Sequence, residues 1–509
     1  MWIKLPRLFA VVSGIWLAAA QPPKIPKIWD NDALDTMELP LPDPAVKKRH
    51  PPSDYYYSAA VQTIYKNYPV YAPGREPAGY IEFLKQQTPE VLWDDAGHAP
   101  ALHTATHLVR AGELVFDAPV AYGQGNNLGF TVEDLRDARW YAATGMPVAA
   151  DGTVPFTRYV VREKGKIEIG RLACGMCHTR VMPNGTIIKG AQGNFPFGQW
   201  VAFNIARSPQ SREKIRNDLL AVAGAPFLHP DPLEPLEGID DVRLAALFAA
   251  LPPGVIARNG TNLLYPVQVP DLIGLKDRRY FDHTGLEQHR GVADLMRYAA
   301  INQGMDLFES FGGFIPLGGP SHDTLPPIGT TINRRSIQRY SDAQLYALAY
   351  YLYSLRPPAS PNPFDEKAAR GKTVFKRERC GRCHTPPLYT NNALTPAAGF
   401  KVPAGHRQKY NIMDEVVGTD SGLTTKTRRG TGYYKVPSLR GVWRRGPLEH
   451  SGSVASLEDW FDPRRLRDDF VPTGFRGAGV QTRAVKGHAF GLGLSPDDKA
   501  ALIAFLRTL

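Results

Sequence analysis

The chain has 509 residues, of which 43% are hydrophobic, and its 60 Lys and Arg exceed its 49 Asp and Glu, for a formal net charge of +11. This composition excludes a disordered chain, and the length predicts two or three domains. Its 47 glycines and 45 prolines exceed ordinary usage, which predicts long ordered loops and argues against a helical bundle, a coiled coil or a large regular sheet.

The first twenty residues have the pattern of a secretory signal. Lys4 and Arg7 are followed by an apolar run over residues 8–17 and by three alanines that end at Ala20. We predict cleavage after Ala20, the alternative being an uncleaved anchor; the apolar run is short for a bilayer span. Cleavage would lower the net charge from +11 to +9. No other stretch could span a membrane, so the mature chain is predicted to be periplasmic or secreted.

Residues 21–160 contain no cysteine and are rich in tyrosine between Tyr55 and Tyr71. We interpret them as an extension that wraps around the domains that follow. Basic residues are scattered along the chain, apart from short clusters such as residues 47–49 and 464–467. We interpret these clusters as solvated surface or as partners of buried carboxylates, and no segment resembles a nucleic-acid-binding module.

All four cysteines lie in two C-x-x-C-H motifs, the attachment signature of c-type haem. The motifs consist of Cys174, Cys177 and His178, and of Cys380, Cys383 and His384. In such a motif the two thiols add across the two vinyl groups of one haem, and the histidine ligates the iron. A dithiol redox pair does not require the adjacent histidine, and a zinc site does not predict it at both pairs. The sequence therefore predicts two covalent haem c groups: haem 1 on His178 and haem 2 on His384.

The two motifs lie 206 residues apart and are each followed by the same landmarks, which indicates an internal repeat. Residues 269–275 match residues 436–442 in a Val-Pro-x-Leu-x-Gly pattern, and His283 matches His450. Each half then ends in a predicted amphipathic helix that begins after Ser341 or Ser495. A proline-rich hinge, residues 356–363, separates the halves. We predict a mainly α fold with long irregular loops, comprising the extension 21–160 and cytochrome c-type haem domains at 161–358 and 359–509.

These motifs, with the segment from His450 to Glu458 that follows the second Val-Pro landmark, resemble the bacterial di-haem cytochrome c peroxidase superfamily over most of residues 160–509. The wide spacing of the motifs and the long extension are most similar to the rubber oxygenase branch. The resemblance implies an exported, oxidative protein with one six-coordinate haem that carries electrons and one haem that meets the oxidant. A calcium ion between the domains occurs in peroxidase relatives, but no ligand cluster in this sequence is specific for it.

Haem 1 is predicted to be the reactive centre, with His178 as the catalytic ligand. The fifty residues after the motif contain no histidine and only Met182, which is too close to the proximal ligand to reach the distal face easily. This departs from typical peroxidases of the superfamily, which place a distal histidine there, and it favours an open site for dioxygen or peroxide. Three histidines are alternative distal ligands through the fold: His229, His283 and His289.

Haem 2 has four candidate sixth ligands: His406, Met413, His450 and His488. His450 has a repeat partner in His283, which suggests a structural or propionate-side role shared by both halves. His488 has no such counterpart, and its loop before the last helix resembles the one that supplies a second histidine in the oxygenase branch. We predict His488 as the ligand, with Met413 as the alternative expected of a higher-potential haem.

Three functions remain open at this point. The first is a dioxygenase of the rubber-oxygenase type, with an apolar unsaturated substrate and an apolar pocket lined by residues such as Phe308, Phe311 and Phe314. The second is a hydrogen peroxide-reducing peroxidase fed by a small redox protein, for which Glu287 or Glu309 could supply acid–base catalysis. The third is a non-catalytic electron carrier. A monomer or weak dimer is expected.

Overall fold

A computed structural model describes residues 23–30, 57, 59–123, 131–207, 238–257, 261–302, 338–427 and 430–509. The helices of these residues are α1 Tyr80–Gln86, α2 Ala105–Asp117, α3 Ala138–Thr144, α4 Cys174–Cys177, α5 Phe197–Arg207, α6 Asp241–Ala249, α7 Val292–Asn302, α8 Asp342–Ser354, α9 Glu366–Arg377, α10 His406–Lys409, α11 Gly422–Thr425, α12 Leu457–Trp460 and α13 Pro496–Arg507. The strands are β1 Ala60–Val61, β2 Ile64–Tyr65, β3 Asn67–Tyr71, β4 Val91–Trp93, β5 Ala121–Gly123, β6 Thr153–Glu163, β7 Lys166–Arg171, β8 Thr179–Val181, β9 Ile187–Lys189, β10 Val255–Ile256, β11 Val267–Gln268, β12 Gln338–Arg339, β13 Leu394–Pro396 and β14 Tyr433–Lys435.

A four-stranded antiparallel sheet with strand order β3-β6-β7-β5 precedes the first C-x-x-C-H motif. Strand β6 is rich in β-branched and aromatic residues, which favour strands, and it is buried over most of its length. Its core includes Phe156, which packs beside Phe195 and Trp200 of the following segment. Strand β7 ends at Arg171, three residues before Cys174, so the sheet positions the first motif.

Two helix pairs cross in the same way, once in each half of the chain. Helix α2 packs on α8 at Gly112, where an added Cβ would lie 2.0 Å from the carbonyl oxygen of Ala347. Helix α9 packs on α13 at Gly371, where it would lie 1.9 Å from that of Ala501. A glycine is required at each crossing because the two backbones meet there. The same tertiary contact, a helix crossing at a glycine, is thus present in each half.

The closing helices of both halves are confirmed, with the predicted serine caps. The Ser341 side chain accepts a hydrogen bond from the Gln344 amide in a full capping box at the start of α8, and the Ser495 side chain caps α13. The hinge 356–363 forms neither helix nor strand.

The mainly α prediction needs correction, since helices and sheets are mixed in the described residues. Helix α2 also lies within residues 21–160, which the sequence analysis treats as an extension, yet it pairs with the closing helix of the first half. The domain boundaries themselves stay predictions. In the part of the chain that the structure describes, no helix is long and apolar enough to cross a membrane. The predicted signal segment, residues 1–20, lies outside that part.

Candidate functional site

The first motif faces a cavity that is partly open to solvent. Cys174, Cys177 and His178 all line its wall. The remaining wall is largely apolar, with a few polar groups, and includes Val267, Val269, Leu272, Leu348, Leu352, Leu423, Thr261, Asp282, His283, Tyr298 and Asn302. Two thiols and an imidazole that converge on a largely apolar cavity fit a covalently attached haem.

Each motif histidine is oriented by a prolyl carbonyl from the repeated Val-Pro landmark. The Nδ1 atom of His178 lies 3.0 Å from the carbonyl oxygen of Pro270. The Nδ1 atom of His384 lies 3.1 Å from those of Pro437 and Tyr389. A hydrogen bond at Nδ1 fixes the ring and leaves Nε2 for a metal. Burial lowers the pKa of His178 to about 4, so the ring is neutral, as a metal ligand must be.

The repeated arginines support the landmark of their own half, and backbone hydrogen bonds at the repeated histidines join the two halves. Arg278 donates to the carbonyl oxygens of residues 271 and 273, and Arg445 donates to those of residues 438 and 440, the matching positions. Across the halves, the Gln268 amide donates to the His450 carbonyl oxygen at 2.8 Å, and the Lys435 amide donates to that of His283 at 2.9 Å. The repeat therefore forms an approximately two-fold symmetric contact between the halves.

A second cavity lies between the halves. Its wall combines Arg278, Lys435 and Arg445 with the buried carboxylate of Asp271, which contacts Arg444 and lies 3.1 Å from the Nε atom of Arg445. The Lys435 ammonium donates to the Phe281 carbonyl oxygen at 2.7 Å. Burial and the charge of Arg278 lower the pKa of Lys435 to about 7. The interface thus carries its own cationic groups.

The alternative distal ligands of haem 1 have other contacts. His283 lines the first cavity, and its Nε2 atom lies 3.0 Å from the Gln268 carbonyl oxygen. The Nε2 atom of His289 lies 2.5 Å from the Tyr353 hydroxyl. Met182 packs against a small apolar cluster and is absent from the cavity wall. His229 lies outside the described residues.

His488 faces His384 across a gap that suits a six-coordinate haem. The centroids of the two rings are 6.1 Å apart, with an angle of 53° between the planes. A metal held from opposite sides by two imidazoles, with metal–nitrogen distances of about 2 Å, separates the ring centroids by about 6 Å. Burial and the neighbouring His384 and Arg465 lower the pKa of His488 to about 3, so this ring is also neutral.

Of the other candidates for haem 2, Met413 lies beside the second motif, whereas His406 and His450 have contacts away from it. The sulfur of Met413 is 3.8 Å from the Cys383 sulfur and accepts a hydrogen bond from Asn391 at 3.3 Å. The Nδ1 atom of His406 lies 2.9 Å from the Tyr433 hydroxyl. His450 forms ion pairs with two carboxylates, as described next. Among the four candidates, ring contact with His384 is found for His488.

One group of described residues, Asp420, Glu449 and His450, brings potential metal-ligating atoms together. The imidazole lies between the carboxylates: its Nδ1 contacts Glu449, and its Nε2 is 3.2 Å from Asp420. Burial lowers the pKa of His450, but the two carboxylates outweigh this effect and raise it to about 10. A protonated imidazole between two carboxylates satisfies the group without a metal, so we do not assign calcium here.

The acid–base and substrate-pocket candidates are only partly described. Glu287 is buried and does not line the first cavity, whereas Asp282 does and accepts a hydrogen bond from the Thr284 hydroxyl at 2.7 Å. Glu309, Phe308, Phe311 and Phe314 lie outside the described residues.

The sequence analysis missed one residue of this region. Arg465 belongs to the basic cluster 464–467, which we interpreted as solvated or paired with buried carboxylates, yet its side chain is 0% exposed and donates to backbone carbonyls. Nothing in the sequence distinguishes it from its exposed neighbours.

No family model matches the chain, and no curated protein matches it either. Among solved structures, a MauG-like protein associated with microbial copper homeostasis is 16% identical over 48% of this chain and 73% of its own, with a TM-score of 0.28. The hydrazine synthase of Kuenenia stuttgartiensis is 14% identical over 61% of this chain and 91% of its own, with a TM-score of 0.29. Such low scores carry no argument, so the site is assigned from its residues alone.

Proposed function

We propose that this chain is an exported di-haem c-type cytochrome that acts as an oxidoreductase, with haem 1 open for an oxidant and haem 2 six-coordinate. The observation that carries the proposal is the equivalent setting of His178 and His384. Each follows a pair of cysteines and is held at Nδ1 by the prolyl carbonyl of a repeated landmark. Haem iron, when bound, supplies the redox chemistry, and the protein supplies attachment, orientation and access.

The residues of this chain have separate tasks in the proposed function. The thiols of Cys174, Cys177, Cys380 and Cys383 add across the haem vinyl groups, and each thiol hydrogen passes to a vinyl carbon. His178 and His384 supply proximal ligands. His488 would supply the second protein ligand of haem 2, which would restrict that centre to electron transfer. Besides His178, the described wall of the first cavity contains one histidine, His283, whose Nε2 atom is engaged by the Gln268 carbonyl oxygen at 3.0 Å, which supports an open haem 1.

For the reaction at haem 1, we propose dioxygenase-like oxidation of an apolar unsaturated substrate. The resemblance to the rubber oxygenase branch supports this choice; the apolar wall of the first cavity is the surface that the haem itself would contact. Cleavage of a carbon–carbon double bond by dioxygen places one oxygen atom on each carbon and gives two carbonyl groups. The reaction balances without an external reductant, which distinguishes it from peroxide reduction.

Optical and EPR spectra of the air-exposed holoprotein test the coordination. We expect one haem that binds cyanide, and carbon monoxide after reduction, beside one low-spin haem that binds neither. His488→Ala should convert the inert haem into one that binds both ligands. The matched control is His406→Ala, which removes a histidine from the same half and should leave both spectra unchanged. Two low-spin haems that bind no ligand would contradict the open haem 1.

Substrate assays test the reaction. An oxygen electrode should record dioxygen uptake with a polyisoprene emulsion in the absence of reductant, together with carbonyl products. Turnover of hydrogen peroxide with a reduced small cytochrome, and no dioxygen uptake, would instead establish a peroxidase. Absence of both activities in a protein with two low-spin haems would establish an electron carrier.

A further inference from the structure

The guanidinium group of Arg465 is buried among backbone carbonyls beside the predicted haem 2. Its Nε atom donates to the Trp460 carbonyl oxygen at 2.8 Å. Its Nη1 atom donates to those of Val485 and Gly487, both at 2.8 Å, and its Nη2 atom to that of His488 at 2.6 Å. Three of the four acceptors therefore belong to the loop that carries His488.

Burial of the Arg465 guanidinium costs free energy. A buried charge is destabilising when it lacks a hydrogen-bonded counter-charge, and the partners of Arg465 are neutral carbonyls. Burial accordingly lowers the pKa of Arg465 to about 10, while the charge of Glu449 opposes the shift. The guanidinium also lies over the Trp460 ring, 4.6 Å from its centroid. A planar fork of five donors suits several converging carbonyls better than any other side chain does.

The backbone at His488 requires an external support. Its φ of +45° lies in the left-handed region, which a residue with a Cβ adopts at a cost. Its amide donates to the Val417 carbonyl oxygen at 2.8 Å, and its own carbonyl oxygen accepts from Arg465. The peptide units on both sides of His488 are thus held by partners far from it in sequence.

The ring of His488 lacks the support that the proximal histidines have. His178 and His384 are oriented by hydrogen bonds at Nδ1, whereas the Nδ1 atom of His488 is buried without a hydrogen-bond partner among the described residues. The ring contacts Trp460 and Phe490, with centroid separations of 5.5 and 5.4 Å. Its direction is therefore determined by the backbone of the loop and by the Trp460 ring, and Arg465 holds both.

We propose that Arg465 is the positioning residue that keeps His488 on the distal side of haem 2. The inference rests on the proposed function, in which His488 is the sixth ligand. Without the guanidinium, three loop carbonyls lose their donor and the left-handed backbone at His488 can relax. The histidine then leaves the position opposite His384, and haem 2 becomes open to external ligands.

The test uses the holoprotein and four variants: Arg465→Gln, Arg465→Lys, His488→Ala and Arg464→Gln. Arg464 is the matched control, since it is adjacent, exposed and paired with Asp462. We expect Arg465→Gln to lose the low-spin EPR signal of haem 2 and to bind carbon monoxide at a second haem, as His488→Ala does. Arg465→Lys, with three donors in place of five, should lose part of that signal, and Arg464→Gln none. Haem 1 should keep its wild-type spectrum throughout.

Added imidazole shows that the variants are folded. It should restore the low-spin signal of haem 2 in Arg465→Gln and His488→Ala, because it supplies the missing ligand to an intact pocket. If Arg465→Gln yields no folded protein, Arg465→Lys decides the question. The inference would be overturned if His488→Ala loses the low-spin signal of haem 2 while Arg465→Lys keeps the full wild-type signal, as does Arg465→Gln where it folds. A wild-type signal in His488→Ala itself would instead overturn the proposed ligand.

Discussion

Asp271→Asn tests the buried ion pair that joins the two halves of the repeat. The Asp271 side chain is 3% exposed and contacts Arg444, which is 1% exposed, and Arg445. Its other oxygen accepts a hydrogen bond from the Ile273 amide at 2.8 Å. Asparagine keeps the size of the side chain and can keep the bond to the amide. The substitution therefore removes the charge and leaves two guanidinium groups without it.

Removing one partner of a buried ion pair costs about 3–5 kcal/mol. We expect the free energy of unfolding to fall by that amount at pH 7, roughly a hundredfold to a few thousandfold in the unfolding equilibrium. Burial raises the pKa of Asp271, but Arg445 and Arg444 outweigh it and hold this pKa below its ordinary value. The contribution is therefore present above the unfolded pKa, near 3.8, and is lost as the pH falls below it.

Urea unfolding followed by far-UV circular dichroism measures the change. The matched control is Asp414→Asn, the same substitution in a pair whose carboxylate is 94% exposed. An exposed pair contributes little, so this variant should unfold with the wild type. A loss of less than about 1 kcal/mol in Asp271→Asn would refute the reasoning, since it would place the pair in the range of surface ion pairs. If the loss of unfolding free energy in Asp271→Asn stays constant down to pH 3, the loss does not come from the charge of Asp271.

Three further predictions concern the helix crossing, the histidine triad and the ligand loop. Gly371→Val should lower the free energy of unfolding by about 1–3 kcal/mol through overpacking, because an added Cβ would lie 1.9 Å from the facing carbonyl oxygen. The control, Lys367→Val, lies on the exposed face of the same helix and should lose only the difference in helix propensity. The pKa of His450 is raised from 6.5 to about 10, so its stabilising contribution is complete below pH 6.5 and is lost as the pH rises toward 10. In urea titrations, the difference in unfolding free energy between wild type and His450→Gln should therefore shrink over that pH range. A constant difference would contradict the ion pairs of His450 with Asp420 and Glu449. Gly487→Ala should weaken the low-spin signal of haem 2, because φ is +94° there and the new Cβ would lie 2.7 Å from the Cα atom of Thr419. The control, Gly479→Ala, has a φ of +75° but open space around the new Cβ, and should leave the signal intact.

Local patterns in the sequence predicted the parts of the site that neighbouring residues form. The two C-x-x-C-H motifs predict their proximal histidines because attachment and ligation need three side chains that are close in sequence. The Val-Pro repeat marked a shared structural role, which the carbonyls of Pro270 and Pro437 fulfil. The serine caps of the closing helices were predictable because a cap bonds to amides two or three residues away.

The mainly α fold was confirmed only in part, because the sheet before Cys174 gave no motif, although β6 carries the β-branched and aromatic residues of a strand. Helix α2 was missed as the partner of α8 for a related reason. Gly112 meets Ala347 across more than two hundred residues of chain, and a single glycine in a helix does not show which helix it approaches.

The histidines illustrate the difference between what the sequence predicts and what the tertiary structure decides. By itself the sequence predicted the cofactor class and the proximal ligands, since each prediction depends on residues a few positions apart. Only the tertiary structure brought His488 opposite His384, placed His450 between two carboxylates and buried Arg465 under the ligand loop. Identical residue types took different roles because burial and hydrogen-bond partners are supplied by segments distant in sequence, and their convergence leaves no local pattern.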